Sequence, residues 1–227
     1  MTTVAERLAA ADAAIAASAA RAGRDPRDLT RIVVTKFHPA SLVRELSGLG
    51  VRDVAENRQQ ELTAKTAETA DLAGLTWHFV GQVQTKKARA VRRAARVVHS
   101  VDRERLVDAL DRAGEDDAAL DALVQINLTA DPNRGGVDPQ GLDALAERIA
   151  GADTLRLRGV MAVAPLGEEP ARAFDRLAGY AARVRGIEPA ATWVSAGMSQ
   201  DFDEAIACGA THLRIGTAIT GPRPPQD

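Results

Sequence analysis

The chain has 227 residues, 45% of them hydrophobic and 26% charged, with 29 Lys plus Arg against 31 Asp plus Glu. That is enough chain for one sizeable core, and a net charge of -2 argues against a general nucleic-acid or anionic-membrane binder. Cys208 is the only cysteine, which excludes an intrachain disulfide, and the histidines His38, His78, His99 and His212 show no metal-ligand spacing.

Residues 1–23 read as an Ala-rich helix closed by Gly23. Glu6, Arg7 and Asp12 interrupt it, so it does not read as a signal peptide. No stretch reaches the roughly 18–20 apolar residues of a membrane helix, so the cytoplasm is the expected location.

Short apolar runs then alternate with longer amphipathic ones. The runs are Arg31–Val34, Arg52–Ala55, Thr76–Val80, Arg96–Val98, Ala122–Leu128, Leu157–Val163, Thr192–Ser195 and His212–Ile215. Helices are expected near 39–47, 57–70, 82–95, from 102, 139–150, 170–185 and 201–208. This alternation predicts βα units around a parallel sheet, and eight of them close a (β/α)8 TIM barrel. No Pro/Ser-rich linker divides the chain, so 1–227 is expected to be one domain, with 222–227 as a flexible tail.

Chemistry in such a barrel gathers at the C-terminal ends of the strands. Those ends carry Lys36, Asn57, His78, Ser100, Asn127, Met161, Ser199 and the run Arg214-Ile215-Gly216-Thr217. Lys36 follows an apolar strand; a lysine desolvated there would favour the neutral amine that Schiff-base chemistry requires, whereas one snorkelling to the barrel mouth would not. Gly216 and the Thr217 hydroxyl, with Ser199, read as an anion site or simply as a strand-end turn. His78 serves equally as a site residue or as a hydrogen-bonded core histidine. Met161 reads first as a core gap-filler. The basic stretch from Lys86 to Arg93 reads as a solvated helix face.

Several stretches together resemble the pyridoxal phosphate homeostasis proteins (proline synthetase co-transcribed homologues), which are similar in fold to the N-terminal barrel of alanine racemase. They are Val34-Thr35-Lys36, Glu56-Asn57, Trp77–Gly81, Gln84–Lys87, Ser100–Asp102, Val124–Asn127, Leu157–Met161, Ser195–Asp201 and Arg214–Ile219. The resemblance implies pyridoxal 5'-phosphate held as an aldimine on Lys36. It implies phosphate ligands at Ser199, Gly216 and Thr217, Arg214 at the pyridine nitrogen, and Asn57, His78 and Met161 around the ring. Three positions depart from the family's habit: Val54-Ala55 in place of Phe-Gly, Lys86 before Lys87, and Arg134 where lysine is common.

Two functions compete at this point. One is a monomeric carrier that keeps or delivers the cofactor, with apo pyridoxal phosphate enzymes as recipients and without robust catalysis. The other is an amino-acid racemase. Racemisation by two bases needs a second proton donor opposite Lys36. No further domain is expected after the barrel to supply one, and the only tyrosine, Tyr180, falls mid-helix. Arg214 would keep a pyridine nitrogen unprotonated and weaken it as an electron sink. The carrier is therefore the expected function, with His78 as the residue that could still serve as a second base.

Overall fold

A computed structural model describes residues 2–114, 119–131 and 133–223. Residues 224–227, most of the expected tail, lie outside the described residues. Eight parallel strands close into a barrel in sequential order: β1 (Thr30–Val34), β2 (Asp53–Glu56), β3 (Thr76–Phe79), β4 (Val97–Val101), β5 (Leu120–Gln125), β6 (Leu155–Met161), β7 (Trp193–Ser195) and β8 (His212–Ile215). Closure is made by β1 on β8, with Ile32 opposite Arg214 and Val33 opposite Ile215.

Around it lie α1 (Val4–Arg21), α2 (Ala40–Gly48), α3 (Gln59–Glu68), α4 (Ala88–Ala94), α5 (Glu104–Asp111), α6 (Leu142–Ala150), α7 (Pro170–Ile187), α8 (Phe202–Ala207) and α9 (Thr217–Thr220). A capping box starts α1: Glu6 N–H donates to Thr3 Oγ1 (3.1 Å) and Thr3 N–H to the Glu6 carboxylate (2.7 Å). Pro170 starts α7, where its missing N–H costs nothing. Helix α1 packs on α2, α8 and α9, and Arg7 Nε donates to the Ile219 carbonyl (2.8 Å).

Side chains alternate along each strand between the barrel interior and the helix layer. Val33, Val98, Leu213 and Ile215 join the main core beneath the helices. Ile32, Val34 and Ala55 form one small interior cluster, and Val97, Leu123 and Met161 another. Polar residues also occupy interior positions on β3, β4, β7 and β8: His78, His99, Ser195 and Arg214 are all buried.

Candidate functional site

Lys36 stands in the turn just beyond β1, and two neighbours fix that turn. Lys65, from α3, donates to the Thr35 carbonyl (2.9 Å) and to Glu56 Oε1 (2.6 Å); Thr35 Oγ1 donates to the same Glu56 oxygen (2.7 Å). On the other side, Phe37 N–H donates to Glu61 Oε2 (2.7 Å). Phe37 sits at φ 68°, left-handed backbone that a phenylalanine adopts only when its surroundings hold it there. Its ring lies under the guanidinium carbons of Arg223 (3.9 Å) and Arg58 (4.8 Å). The lysine backbone is thus clamped, while the side chain is exposed and has no hydrogen-bond or ion-pair partner among the described residues. Of the two readings of Lys36, the side chain that reaches the barrel mouth is the one seen: the turn carries it past the buried strand into that mouth.

It opens into a cavity of about 710 Å³, within the usual range for small-molecule sites. Asn57, Ser199, Arg214, Gly216 and Thr217 share its wall with Lys36. The loops after β5, β6 and β7 form the rim with Arg134, Leu166 and Met198, the last two exposed. Rim carboxylates are already engaged: Glu168 pairs with Arg176, and Asp201 Oδ1 accepts from Met198 N–H (2.6 Å).

Arg214 forms the buried floor. Its Nη1 donates to Ser195 Oγ (2.7 Å) and Nη2 to the Ala162 carbonyl (2.8 Å). Burial pushes its pKa down to about 10, partly offset by Asp201, so the guanidinium remains charged at neutral pH. Asn57 Oδ1 is buried without a hydrogen-bond partner. A Cβ built on Gly81 would fall 2.0 Å from the Asn57 carbonyl, so only glycine lets the loop after β3 close on Asn57. At Gly216 the opposite holds. A Cβ there would meet no protein atom closer than the Val34 carbonyl at 3.8 Å, so it would fill cavity space beside Thr217.

Two expected ring contacts lie elsewhere. His78 is inside the barrel, with Nδ1 2.9 Å from His99 Nε2 and Nε2 3.0 Å from Asp53 Oδ1. It precedes the last residue of β3 and so points into the interior below the mouth. Met161 packs with Val97 and Leu123, the core role its residue type first implied. Neither borders the cavity. Tyr180 lies within α7, partly buried against the core and away from the cavity. Sequence reasoning missed the Glu56–Lys65–Glu61 clamp and the rim apolar pair. The Glu61-to-Lys65 spacing of four on α3 was the available signal for the clamp.

Comparison with known proteins fits this arrangement. The family model for the alanine racemase N-terminal domain matches residues 9–224. The pyridoxal phosphate homeostasis protein of Mycobacterium tuberculosis is 42% identical, over 95% of this chain and 91% of that one. The chain belongs to this family. Its Escherichia coli member is 37% identical over 98% of both chains. A further relative, PipY of Synechococcus elongatus, was solved with pyridoxal phosphate bound; it is 36% identical, with a TM-score of 0.84 over 96% of this chain and all of that one. Among the described residues, no helix is long and apolar enough to cross a membrane.

Proposed function

We propose that this chain is a pyridoxal 5'-phosphate-binding protein of cofactor homeostasis, a single-domain cytoplasmic monomer that holds the cofactor's aldehyde on Lys36 and passes it to apo-enzymes. The observation that carries this reading is the clamped, unpaired Lys36 amine facing a cavity floored by the buried Arg214. The donor set fits the group. Arg214 brings a cation with no carboxylate within ion-pair distance among the described residues, suited to a ring nitrogen with a free lone pair. Gly216, Thr217 and Ser199 leave room and hydroxyls for a phosphate. Asn57 Oδ1 has an acceptor position to fill. When bound, the cofactor would supply an electron sink for amino-acid chemistry, and Arg214, itself already protonated, would damp that capacity by offering the ring nitrogen a hydrogen bond without giving up a proton.

The racemase alternative loses support because its candidate second base, His78, is already committed to His99 and Asp53 inside the barrel. Borohydride treatment of the protein with pyridoxal phosphate, followed by peptide mass analysis, should find the pyridoxyl group on Lys36; a tag on another lysine with Lys36 unmodified would overturn the assignment. Thr217→Val should weaken pyridoxal phosphate about tenfold or more and pyridoxal far less, since a charge-assisted hydrogen bond is worth roughly 1.5–3 kcal/mol. Exchange of solvent deuterium into amino-acid Cα positions should stay near that of free pyridoxal phosphate. Exchange at enzyme-like rates of roughly 1–1000 per second would return the case to the racemase.

A further inference from the structure

Inward positions of a β/α barrel are ordinarily filled by branched aliphatic residues. Ile32, Val34, Val97 and Leu123 follow that rule; His78, His99, Ser195 and Arg214 break it, though none is more than 5% exposed. They form one sequence of hydrogen bonds. Arg214 Nη1 meets Ser195 Oγ at 2.7 Å, and Ser195 Oγ meets His99 Nδ1 at 2.9 Å. His99 Nε2 meets His78 Nδ1 at 2.9 Å, and His78 Nε2 meets Asp53 Oδ1 at 3.0 Å. Asp53 opens β2, so it lies at the end of the barrel away from Lys36, with its side chain 30% exposed.

The two ends fix the direction of every link. A guanidinium only donates and a carboxylate only accepts. Ser195 Oγ accepts from Arg214, so its own proton goes to His99 Nδ1. His99 then carries its proton on Nε2 and donates it to His78 Nδ1. His78 in turn carries its proton on Nε2 and donates to Asp53. Both imidazoles are neutral and every proton has an acceptor. In the reverse order, His99 Nδ1–H and Arg214 Nη1–H would both point at Ser195 Oγ, and the serine proton would have no acceptor among the described contacts. Burial first, then repulsion against any added charge beside His78, His212 and Arg214, holds His99 well below the ordinary histidine range, which agrees with the neutral form.

We propose that Asp53, His78, His99 and Ser195 are positioning residues for Arg214: a one-way relay, anchored on a carboxylate at the far end of the barrel, that holds the guanidinium in one orientation at the cavity floor. Each member turns its acceptor toward Arg214, so the aligned dipoles stabilise a buried charge that lacks a contacting carboxylate. What Arg214 then faces rests on the cofactor reading above; the relay itself does not.

The test uses the cofactor-free protein. With 15N-labelled histidine, the ring couplings of His78 and His99 should each report a neutral imidazole protonated on Nε2. Protonation on Nδ1, or a charged ring, at either residue overturns the relay. With 15N-labelled arginine, the Arg214 guanidinium should give separate, slowly exchanging signals. In Ser195→Ala and in the remote Asp53→Ala, its exchange with water should rise by roughly tenfold, the equivalent of one hydrogen bond. Asp53→Asn keeps an acceptor for His78 Nε2–H and should restore the slow exchange. Unchanged Arg214 signals in Asp53→Ala would reduce the histidines to core filling and sink the proposal. Should the wild-type protein take up no pyridoxal phosphate, the cofactor reading falls while these measurements still decide the relay.

Discussion

Two buried polar clusters support two parts of the cavity, the Lys36 turn and the Arg214 floor, and they solve burial differently. Behind Lys36, Glu56, Lys65 and Glu61 are ionic, and Lys65 lies within single contacts of 2.6 and 3.3 Å of the two carboxylates. Behind Arg214, the chain through Ser195, His99 and His78 is uncharged and reaches from the cavity floor to Asp53. An ionic cluster must be compact, because a buried charge without a nearby partner is costly. A chain of neutral donors and acceptors can be long, because each link is satisfied by the next. The first device fixes a loop; the second fixes an orientation at a distance.

The contrast can be broken most sharply at Lys65. Lys65→Met strands Glu56, and breaking such a buried pair should cost about 3–5 kcal/mol in denaturant unfolding. Burial already raises the Glu56 pKa above its ordinary 4.5, with Lys65 and Thr35 pulling it back. A raised carboxyl contributes its stability at low pH and loses it as pH rises through the folded value. The deficit of Lys65→Met should therefore be small near pH 4.5 and full at neutral pH; a deficit that shrinks as pH rises would contradict the pairing.

His99→Leu attacks the neutral chain. It leaves the Ser195 proton and His78 Nδ1 unpartnered, at roughly 1–3 kcal/mol for each group. The pKa shift in this chain has the other sign from that of Glu56. Burial lowers His99 well below 6.5 and His212 to about 3. Such groups contribute stability above 6.5 and lose it as pH falls toward the folded value. Wild-type stability should thus decline as pH falls below 6.5, for His212 toward pH 3 by up to about 1.4 kcal/mol per pH unit, with a contribution of the same sign from His99. His99→Leu should flatten part of that slope, as urea titrations across the range would show. The smallest effect is expected at Arg223→Ala, which removes one guanidinium from the Phe37 ring at about 0.5–1 kcal/mol. A loss several times larger would mean that the ionic clamp does not hold the turn by itself.

The barrel was legible because its period and punctuation repeat. Strand β8 is read to the residue, and β1 is off by one. The reading of β4 stopped at Val98 because His99 and Ser100 are polar, whereas the strand runs on to Val101. Polarity there signals an interior network, not a strand end. The fifth and sixth runs start two residues late. Asp121 and Arg156 mask the true starts, and the apolar Ile126 lies beyond β5, in a lone bridge to Val137. At the cavity, residues just past a strand end (Lys36, Asn57, Gly216, Thr217) could be placed from the strand pattern. His78 and Met161 lie within their strands, where one step of register decides between mouth and core. The relay joins β2, β3, β4, β7 and β8, separations that no local pattern carries.

The order of the strands also sets when the cavity can exist. Lys36, its clamp and Asn57 are present once the first 70 residues have been made, but Arg214, Gly216 and Thr217 arrive only with β8 and α9. The same segment closes the barrel on β1 and meets Arg7 of the first helix. A chain still being synthesised therefore exposes the Lys36 amine long before it has the Arg214 floor or the wall made by Gly216 and Thr217. Selective capture of a ligand must be a late, post-translational event, and a ribosome stalled before residue 212 would display a lysine with no site around it.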